Sequence, residues 1–183
     1  SWWVQAESIE IDMLEESATL TGGRLYFQGV PILAGPWLSF PMGDRRRSGF
    51  LTPSFGLSTT LGTDIKTPYY WNIAPNYDYT ATPRFMSKRG VMLGNEFRML
   101  EPTFKGTAVY DVLPDDHQTG KQRDYLGLRG LYSSPDGISA GVNYNRVSDN
   151  SYFVDFSSTV TGSSQRVLLQ DGFVNRDEMR ALI

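Results

Sequence analysis

The chain has 183 residues, a formal net charge of −3 at pH 7, 20% charged residues and no cysteine. This length fits one domain or a piece of a larger protein, and the acidic balance excludes the basic footprint of a nucleic-acid-binding protein. The lack of cysteine excludes disulfides, zinc–thiolate sites and a cysteine nucleophile within this sequence. No run approaches the roughly 20 apolar residues of a transmembrane helix, although barrel strands, which alternate in polarity, also give a soluble-looking average.

The first part of the chain is predicted to form short β-strands. Ile9 and Ile11 alternate with acidic residues, and Leu25 and Phe27 alternate with polar ones. Residues 30–41 are apolar but contain three prolines. Because proline donates no hydrogen bond to a sheet, this stretch is predicted to be a sheet edge and a connector. On periodicity alone, an ordinary sandwich core also explains these strands.

Three consecutive arginines, Arg45, Arg46 and Arg47, separate the first β region from the next. They could bind the phosphates of an anionic glycolipid in bidentate fashion. Alternatively, they form a solvated basic hinge between the two regions. The sequence leaves both interpretations open.

Two prolines, Pro53 and Pro68, lie in what are predicted to be adjacent strands. Each removes one backbone donor, so proline is found on edge strands or at bulges. The pair therefore indicates a sheet edge that pairs weakly.

The rest of the chain is predicted to form successive antiparallel hairpins. The predicted strands are 50–60, 64–73, 76–86, 91–100, 103–113, 121–133, 138–147 and 165–174. At about ten residues they have the length that crosses a bilayer at a tilt, whereas sandwich strands are mostly about five or six residues long. Turns near 75, 102 and 135 are short, while the loops 114–120 and 148–164 are long. Outer-membrane barrels show this asymmetry.

One face of these strands carries full charges of both signs. By strand parity it includes Lys66, Asp78, Arg84, Glu96, Arg98, Lys105, Asp111 and Arg129. Such a face needs water, which either the wide lumen of a barrel or the outside of a soluble protein supplies. In a barrel, the opposite face would contact lipid.

The sequence contains no catalytic constellation. His117 is the only histidine, and it lies in a polar loop next to the acidic pair Asp115–Asp116, which is weak evidence for a cation site. We therefore expect no enzyme activity, no cofactor and no metal.

Two stretches, RRSGFLTP at 46–53 and PYYWNIAPNYD at 68–78, resemble the start of the barrel in the LptD (OstA) family of outer-membrane lipopolysaccharide-assembly proteins. A weaker resemblance extends from about Trp3 to about Phe156. Because the chain starts without the basic and apolar segments of a signal peptide, we expect it to begin inside a longer protein.

The resemblance implies an all-β, antiparallel fold in two parts. Residues 1–43 would be the C-terminal part of a periplasmic β-jelly roll, and residues 44–174 the N-terminal strands of a large transmembrane β-barrel. At most eight barrel strands are present, so they would form an incomplete, open sheet. Residues 175–183 do not continue the pattern and are an atypical tail.

The resemblance also implies lipid transport without covalent chemistry. Acyl chains of lipopolysaccharide would travel along the jelly-roll groove, the glycan would enter the lumen, and the lipid would leave sideways through a lateral gate. The candidate groove residues are Ile9, Ile11, Leu25, Phe27 and Ile32, and the candidate gate residues are Pro53 and Pro68. Implied partners are a plug lipoprotein (LptE-like) inside the barrel and a periplasmic bridge protein (LptA-like) that meets regions outside this sequence. The implied location is the outer membrane, with the N-terminal part in the periplasm.

Two other protein classes fit the same patterns. One is another outer-membrane β-barrel, such as a porin or an adhesin translocator, whose polar face lines a channel. The other is a soluble carbohydrate-binding β-sandwich.

Overall fold

A computed structural model describes residues 2–14, 16–43, 46–156, 168 and 170–176. This part of the chain consists almost wholly of antiparallel β-strands, with a single helix of five residues. The predicted all-β fold class is therefore confirmed. Within the same ranges, no helix is long and apolar enough to cross a membrane.

The first strands form a small sheet, which we call the N-terminal sheet. Its strands are β1 (Trp2–Gln5), β2 (Ser8–Asp12), β3 (Ser17–Phe27) and β4 (Val30–Pro41). β4 pairs with nearly the whole length of β3, so β1 and β2 share the other edge of β3. Both keep the same register with β3, and they therefore continue one another as a single interrupted strand.

A backbone kink in β3 sets the buried face of this sheet. Leu20 and Leu25 are both buried although their odd spacing would place them on opposite faces of a regular strand. Between them, Gly22 has a φ of +60°, which a glycine adopts without steric cost. This kink reverses the alternation and brings the two leucines onto one face.

The remaining strands form a second, ten-stranded sheet, the C-terminal sheet. Its strands are β5 (Gly49–Phe50), β6 (Ser54–Ser58), β7 (Gly62–Lys66), β8 (Tyr69–Ala74), β9 (Tyr77–Met86), β10 (Gly90–Leu100), β11 (Phe104–Asp116), β12 (Lys121–Ser133), β13 (Ile138–Val147) and β14 (Gln170–Arg176). From β9 to β14, each strand pairs antiparallel with the next. β7 and β8 share the other edge of β9, β6 pairs with β7, and β5 pairs with β8. The sheet is open rather than closed into a barrel.

The first two predicted strands, 50–60 and 64–73, are each split, so that prediction needs correction. The first is interrupted between β5 and β6, where Pro53 lies, and the second between β7 and β8, where Pro68 lies. The physical reason is the missing proline N–H, which leaves the ladder without a donor at both points.

Later strands follow the predicted pattern, with three differences. β11 continues to Asp116, so the predicted loop 114–120 shrinks to a tight turn of residues 117–120. β14 begins at Gln170 rather than at residue 165, and residues 165–167 and 169 lie outside the described residues. The predicted tail 175–183 is described only as far as residue 176, which still belongs to β14.

The two faces of the C-terminal sheet differ in character, as strand parity predicts. One face, the polar face, carries the predicted charged residues. On the other, Trp71, Phe85 and Val142 are 54%, 48% and 51% exposed, respectively. A soluble monomer rarely exposes so many large apolar side chains on one surface, so this apolar face argues against the soluble-sandwich interpretation.

The loop after β13, predicted to be long, folds back over the polar face. It contains the helix α1 (Tyr152–Phe156), and residues 157–167 lie outside the described part. Beneath the helix, this face of the sheet carries apolar side chains, and the loop packs against them. The resulting core consists of Leu61, Met86, Met92, Leu113, Tyr152 and Phe156.

Candidate functional site

A cavity of about 460 Å³ lies on the polar face and is lined by residues of β7 to β11 and by Leu51, which lies between β5 and β6. We call it the polar cavity. The charged residues in its lining are Lys66, Arg84, Glu96, Arg98 and Asp111. The structure thus brings together five of the eight residues predicted to face a lumen. Their facing a lumen stays a prediction.

The other three predicted residues share this face but not this cavity. Asp78 lies beside it, bound to Arg98. Arg129 lines a smaller cavity of about 220 Å³ with Thr107 and two asparagines. Lys105 is exposed near the beginning of β11.

Part of the charge near the polar cavity is already paired within the protein. Arg98 donates to both oxygens of Asp78, at 2.7 and 3.0 Å. Arg84 binds Asp64 in the same bidentate way, with both distances 2.8 Å. These pairs hold adjacent strands together and leave little charge uncompensated.

Two charged side chains in the polar cavity, Lys66 and Asp111, attract each other without forming a direct ion pair. Within the part of the chain that the structure describes, neither Lys66 nor Asp111 has an oppositely charged group close enough for an ion pair. Both are half-buried, so water screens them less than it screens surface charges. A cation and an anion in one cavity suit a polar ligand that carries both hydroxyl and phosphate groups.

A second, apolar groove of about 560 Å³ runs between the two sheets. From the N-terminal sheet, its lining includes Val4, Ile9, Leu20, Leu25 and Phe40. From the start of the C-terminal sheet it includes residues 50–53. The groove is therefore continuous from one sheet to the other.

The five predicted groove residues fall into different places. Ile9 and Leu25 line the groove. Ile11 lies two residues further along β2 than Ile9, so it shares that face, and it is exposed. The Phe27 ring packs against Phe55 of β6, with ring centroids 4.4 Å apart. Ile32 is half-buried where the register between β3 and β4 shifts.

Sequence reasoning missed Val4, Leu20 and Phe40 as groove residues. A strict period of two along β3 assigns Leu20 and Leu25 to different faces. The positive φ of Gly22 brings them together, and the Gly22-Gly23 pair was the available signal.

The junction between the sheets is a close backbone contact at Gly49. A Cβ atom at this position would lie 2.8 Å from the Ser39 carbonyl oxygen and 2.8 Å from Cδ of Pro41. The neighbouring Phe50 ring packs edge-on against Tyr69, at 5.1 Å, and lies 6.1 Å from Phe40. Only glycine allows β5 to lie this close to the end of β4.

Arg46 makes three side-chain hydrogen bonds to the C-terminal sheet. Its Nε donates to the Tyr70 hydroxyl at 3.0 Å, its Nη1 donates to the Pro75 carbonyl at 2.6 Å, and its Nη2 pairs with Asp78. These bonds raise the pKa of the Arg46 guanidinium, the Tyr70 bond most. Three of its five N–H donors are thus used within the protein while its side chain is 47% exposed, so the hinge and the phosphate-binding interpretations both stay predictions. Arg45 lies outside the described residues, and Arg47 is half-buried.

The two prolines occupy the breaks in the first two strands. Pro53 is buried and lines the apolar groove. The Pro68 carbonyl accepts a hydrogen bond from the Leu51 N–H at 2.9 Å. Their role as a gate stays a prediction.

The acidic pair near His117 does not form a shared cation site. Asp115 is exposed while Asp116 is buried and bound to Arg89, because adjacent residues of a strand point to opposite faces. Among the described residues, no group of three or more potential metal ligands comes together.

Buried ion pairs under α1 form a further site that sequence reasoning missed. They join Arg89 and Arg123 to Asp116, Asp149 and Asp155. At Asp149, burial raises the pKa, but hydrogen bonds from Arg123, Ser151 and Ser148 outweigh it and lower the pKa to about 2. Burial raises the pKa of the Tyr152 hydroxyl. The available signal was the spacing of Tyr152 and Phe156, which places both rings on one side of a helical turn.

Comparison with known proteins matches almost the whole chain to one group. A family profile described as "LptD protein" matches residues 20–126, and one described as "LPS transport system D" matches residues 121–180. The LPS-assembly protein LptD of Aromatoleum aromaticum is 43% identical over 171 residues, covering 93% of this chain and 22% of that protein.

Other relatives with the same name show similar values. The protein of Paracidovorax citrulli is 45% identical over 179 residues, covering 93% of this chain and 22% of that protein. The protein of Bordetella pertussis is 43% identical over 157 residues, covering 86% and 20%. The chain thus spans about a fifth of the length of the curated relatives it matches.

Proposed function

Because the chain belongs to the LptD family, we propose that it forms the part of a lipopolysaccharide translocon where the lipid passes from the periplasm into an outer-membrane barrel. The observation that supports this most directly is the position of Leu51, which lines both the apolar groove and the polar cavity. An apolar site and a polar site therefore meet at one residue beside the broken first strand.

This arrangement suits an amphiphile. Lipopolysaccharide combines several acyl chains with phosphorylated sugars. The apolar groove would shield acyl chains from water, and the polar cavity, with Lys66 and Asp111, would hold sugar and phosphate groups. Neither site requires a covalent step, so the proposed activity is transport.

The exit is proposed to be lateral. Pro53 and Pro68 interrupt the two strands at the edge of the C-terminal sheet, next to the groove. Each missing backbone bond is worth roughly 0.5–1.5 kcal/mol net in water, and an unmade bond in lipid costs more. The break at Pro68 therefore weakens the pairing of the edge strand with the second strand, which would let the edge strand move away from the last strand of a complete barrel.

The proposed partners and location follow from the same scheme. The N-terminal sheet would lie in the periplasm and receive lipid through a bridge protein (LptA-like) bound outside this chain. The strands of the C-terminal sheet would span the outer membrane, with the apolar face in lipid. A plug lipoprotein (LptE-like) would occupy the lumen lined by the polar face.

Photo-crosslinking in the full-length protein tests this proposal. A crosslinking residue at Leu51 or Ile9 should trap lipopolysaccharide, because both positions line the groove. Glu10 is the matched control, since it is adjacent to Ile9 but on the opposite face of β2. Equal trapping at Glu10 and Ile9, or none at Leu51, would contradict the proposed path.

A porin-like channel is the second candidate, and the polar cavity favours it. A porin needs the polar face but has no use for a groove leading to its first strand. Lipopolysaccharide crosslinking at Leu51 therefore separates the two functions.

A further inference from the structure

The carboxylate of Asp78, in β9, joins three other segments of the chain. Its side chain is only 6% exposed. Arg98 of β10 donates to both of its oxygens, and the Tyr70 hydroxyl of β8 donates to one of them at 3.2 Å. Arg46, which precedes β5, donates to the same oxygen as Tyr70. We call these four residues the Asp78 clamp.

The main chain of residues 46–48, which lead into β5, is held by the same hairpin. The side-chain amide of Asn72 donates to the Arg46 carbonyl at 2.9 Å. The Asn72 backbone N–H donates to the Ser48 hydroxyl oxygen, also at 2.9 Å. Arg46 itself donates to the Pro75 carbonyl in the turn between β8 and β9. Both the main chain and the side chains of residues 46–48 are therefore attached to the β8–β9 hairpin.

The clamp lies where the apolar groove meets the polar cavity. Tyr70 and Arg98 line the polar cavity, and Tyr70 also lies opposite Gly49 in the pairing of β5 with β8. Leu51, two residues after Gly49, lines both the groove and the cavity. The clamp thus fixes the segment that leads from the groove to the wall of the cavity.

The charges of this cluster are balanced. The two arginines, Arg46 and Arg98, bind the Asp78 carboxylate, and Glu96 lies 3.5 Å from Arg98. Two cations therefore face two carboxylates within the cluster. An anion-binding site needs an excess of positive charge, so this geometry favours a positioning role for Arg46 over the binding of a phosphate.

We propose that Arg46 is a positioning residue that, through the Asp78 clamp, holds the outlet of the apolar groove against the polar cavity while lipid crosses at Leu51. This inference rests on the proposed function, because it needs lipid to pass Leu51. The guanidinium bonds Tyr70, Pro75 and Asp78 at once. Lysine keeps the charge but cannot reproduce this fork of donors. Loss of the fork should leave loading of the groove intact and impair transfer out of it.

The test compares lipid trapping at two positions of the full-length protein in cells. Arg46→Gln and Arg46→Lys are each combined with a photo-crosslinker at Ile9, in the groove, or at Leu51. Both variants should trap lipopolysaccharide at Ile9 as the wild type does and several-fold less at Leu51. Arg24→Gln is the control, because it makes the same substitution at an exposed position of β3 next to Leu25, on the face away from the groove. It should match the wild type at both positions.

Three results would overturn the proposal. One is wild-type trapping at Leu51 in both variants. The second is normal trapping at Leu51 in Arg46→Lys alone, which would show that the positive charge matters and the geometry does not. The third is an equal loss at Ile9 and Leu51, which would show that loading of the groove is impaired. If the Arg46 variants fail to accumulate, Tyr70→Phe removes one hydroxyl of the clamp, keeps the ring and is judged in the same way.

A second measurement needs no lipid. Spin-labelled amino acids at Ser8 of the N-terminal sheet and Asp136 in a turn of the C-terminal sheet, both exposed, report the distance between the sheets in the purified full-length protein. The distance distribution should broaden in Arg46→Lys and stay unchanged in Arg24→Gln, and an unchanged distribution in Arg46→Lys would overturn the proposal. Absence of trapping at Leu51 in the otherwise wild-type protein contradicts the proposed transport function, whereas the distance distribution judges the clamp alone.

Discussion

Replacing Pro68 by alanine should tighten the edge of the C-terminal sheet and slow lipid export. In the register of β5 and β8, Gly49 lies opposite Tyr70 and Phe50 lies opposite Tyr69. One step further, the Leu51 N–H donates to the Pro68 carbonyl, but proline has no N–H to return the bond. Pro68→Ala would supply that donor opposite the Leu51 carbonyl and complete a reciprocal pair.

The size of the effect follows from one added bond. A net contribution of roughly 0.5–1.5 kcal/mol makes the separation of β5 from β8 roughly 2- to 13-fold less favourable in water, and the factor grows in lipid. Pro53 is different, because residues 51–53 lie opposite only residues 67–68 and form a bulge. Pro53→Ala should therefore have the smaller effect, and the double variant should export at least as slowly as Pro68→Ala.

Pulse labelling of newly made lipopolysaccharide measures this in the full-length protein. The Pro68→Ala protein should deliver lipid to the cell surface more slowly, hold more of it at the translocon and give a leakier outer membrane. Pro135→Ala is the control, since it makes the same chemical change in an exposed turn away from the edge. Wild-type export by the double variant, with normal amounts of protein, would refute the assignment of these prolines to lateral opening.

Three further predictions concern the other surfaces. A lipid-soluble thiol reagent should label a cysteine placed at Val142 but spare one at Asn143, and equal labelling would show that the assigned faces are wrong. A photo-crosslinker at Ile11 should trap lipopolysaccharide while one at Glu10 should not, and if neither does, Ile11 is no part of the lipid path. The pKa of Asp149 in the folded protein is about 2, below the value of about 3.9 for an unfolded chain, so its stabilisation of the loop is present above about pH 4 and is lost as the pH falls towards 2. Hydrogen exchange of the loop amides should accelerate across that range after correction for intrinsic rates, and unchanged protection down to pH 2 would show that the Asp149–Arg123 ion pair does not stabilise the loop.

Local periodicity predicted the strand faces well, because the alternation of side chains along a strand is a fixed geometric property. Lys66 and Tyr70 lie on either side of the break at Pro68, yet both line the polar cavity, so parity survives the interruption. The same rule failed at Gly22, where one positive φ reverses the alternation.

Local periodicity could not predict contacts between residues that are far apart in the chain. Arg123 appears in the sequence as one charge near the start of a strand. Its partners Asp149 and Asp155 lie 26 and 32 residues away in the chain, in a stretch that looks like an ordinary exposed loop. The loop could have been placed only by knowing that Met86, Met92 and Leu113 form an apolar floor at one end of an otherwise polar face.

The close approach at Gly49 affects how movement of one sheet is transmitted to the other. The β5 main chain lies directly against the Ser39 carbonyl and the Pro41 ring there, because Gly49 has no side chain to separate them. A tilt of the N-terminal sheet would therefore act on a point only two peptide units from Leu51 and four from Pro53, where the first strand is broken. Under the lateral exit proposed above, Gly49 would therefore couple the two sheets, and a movement of the apolar groove would reach the edge strand through this contact.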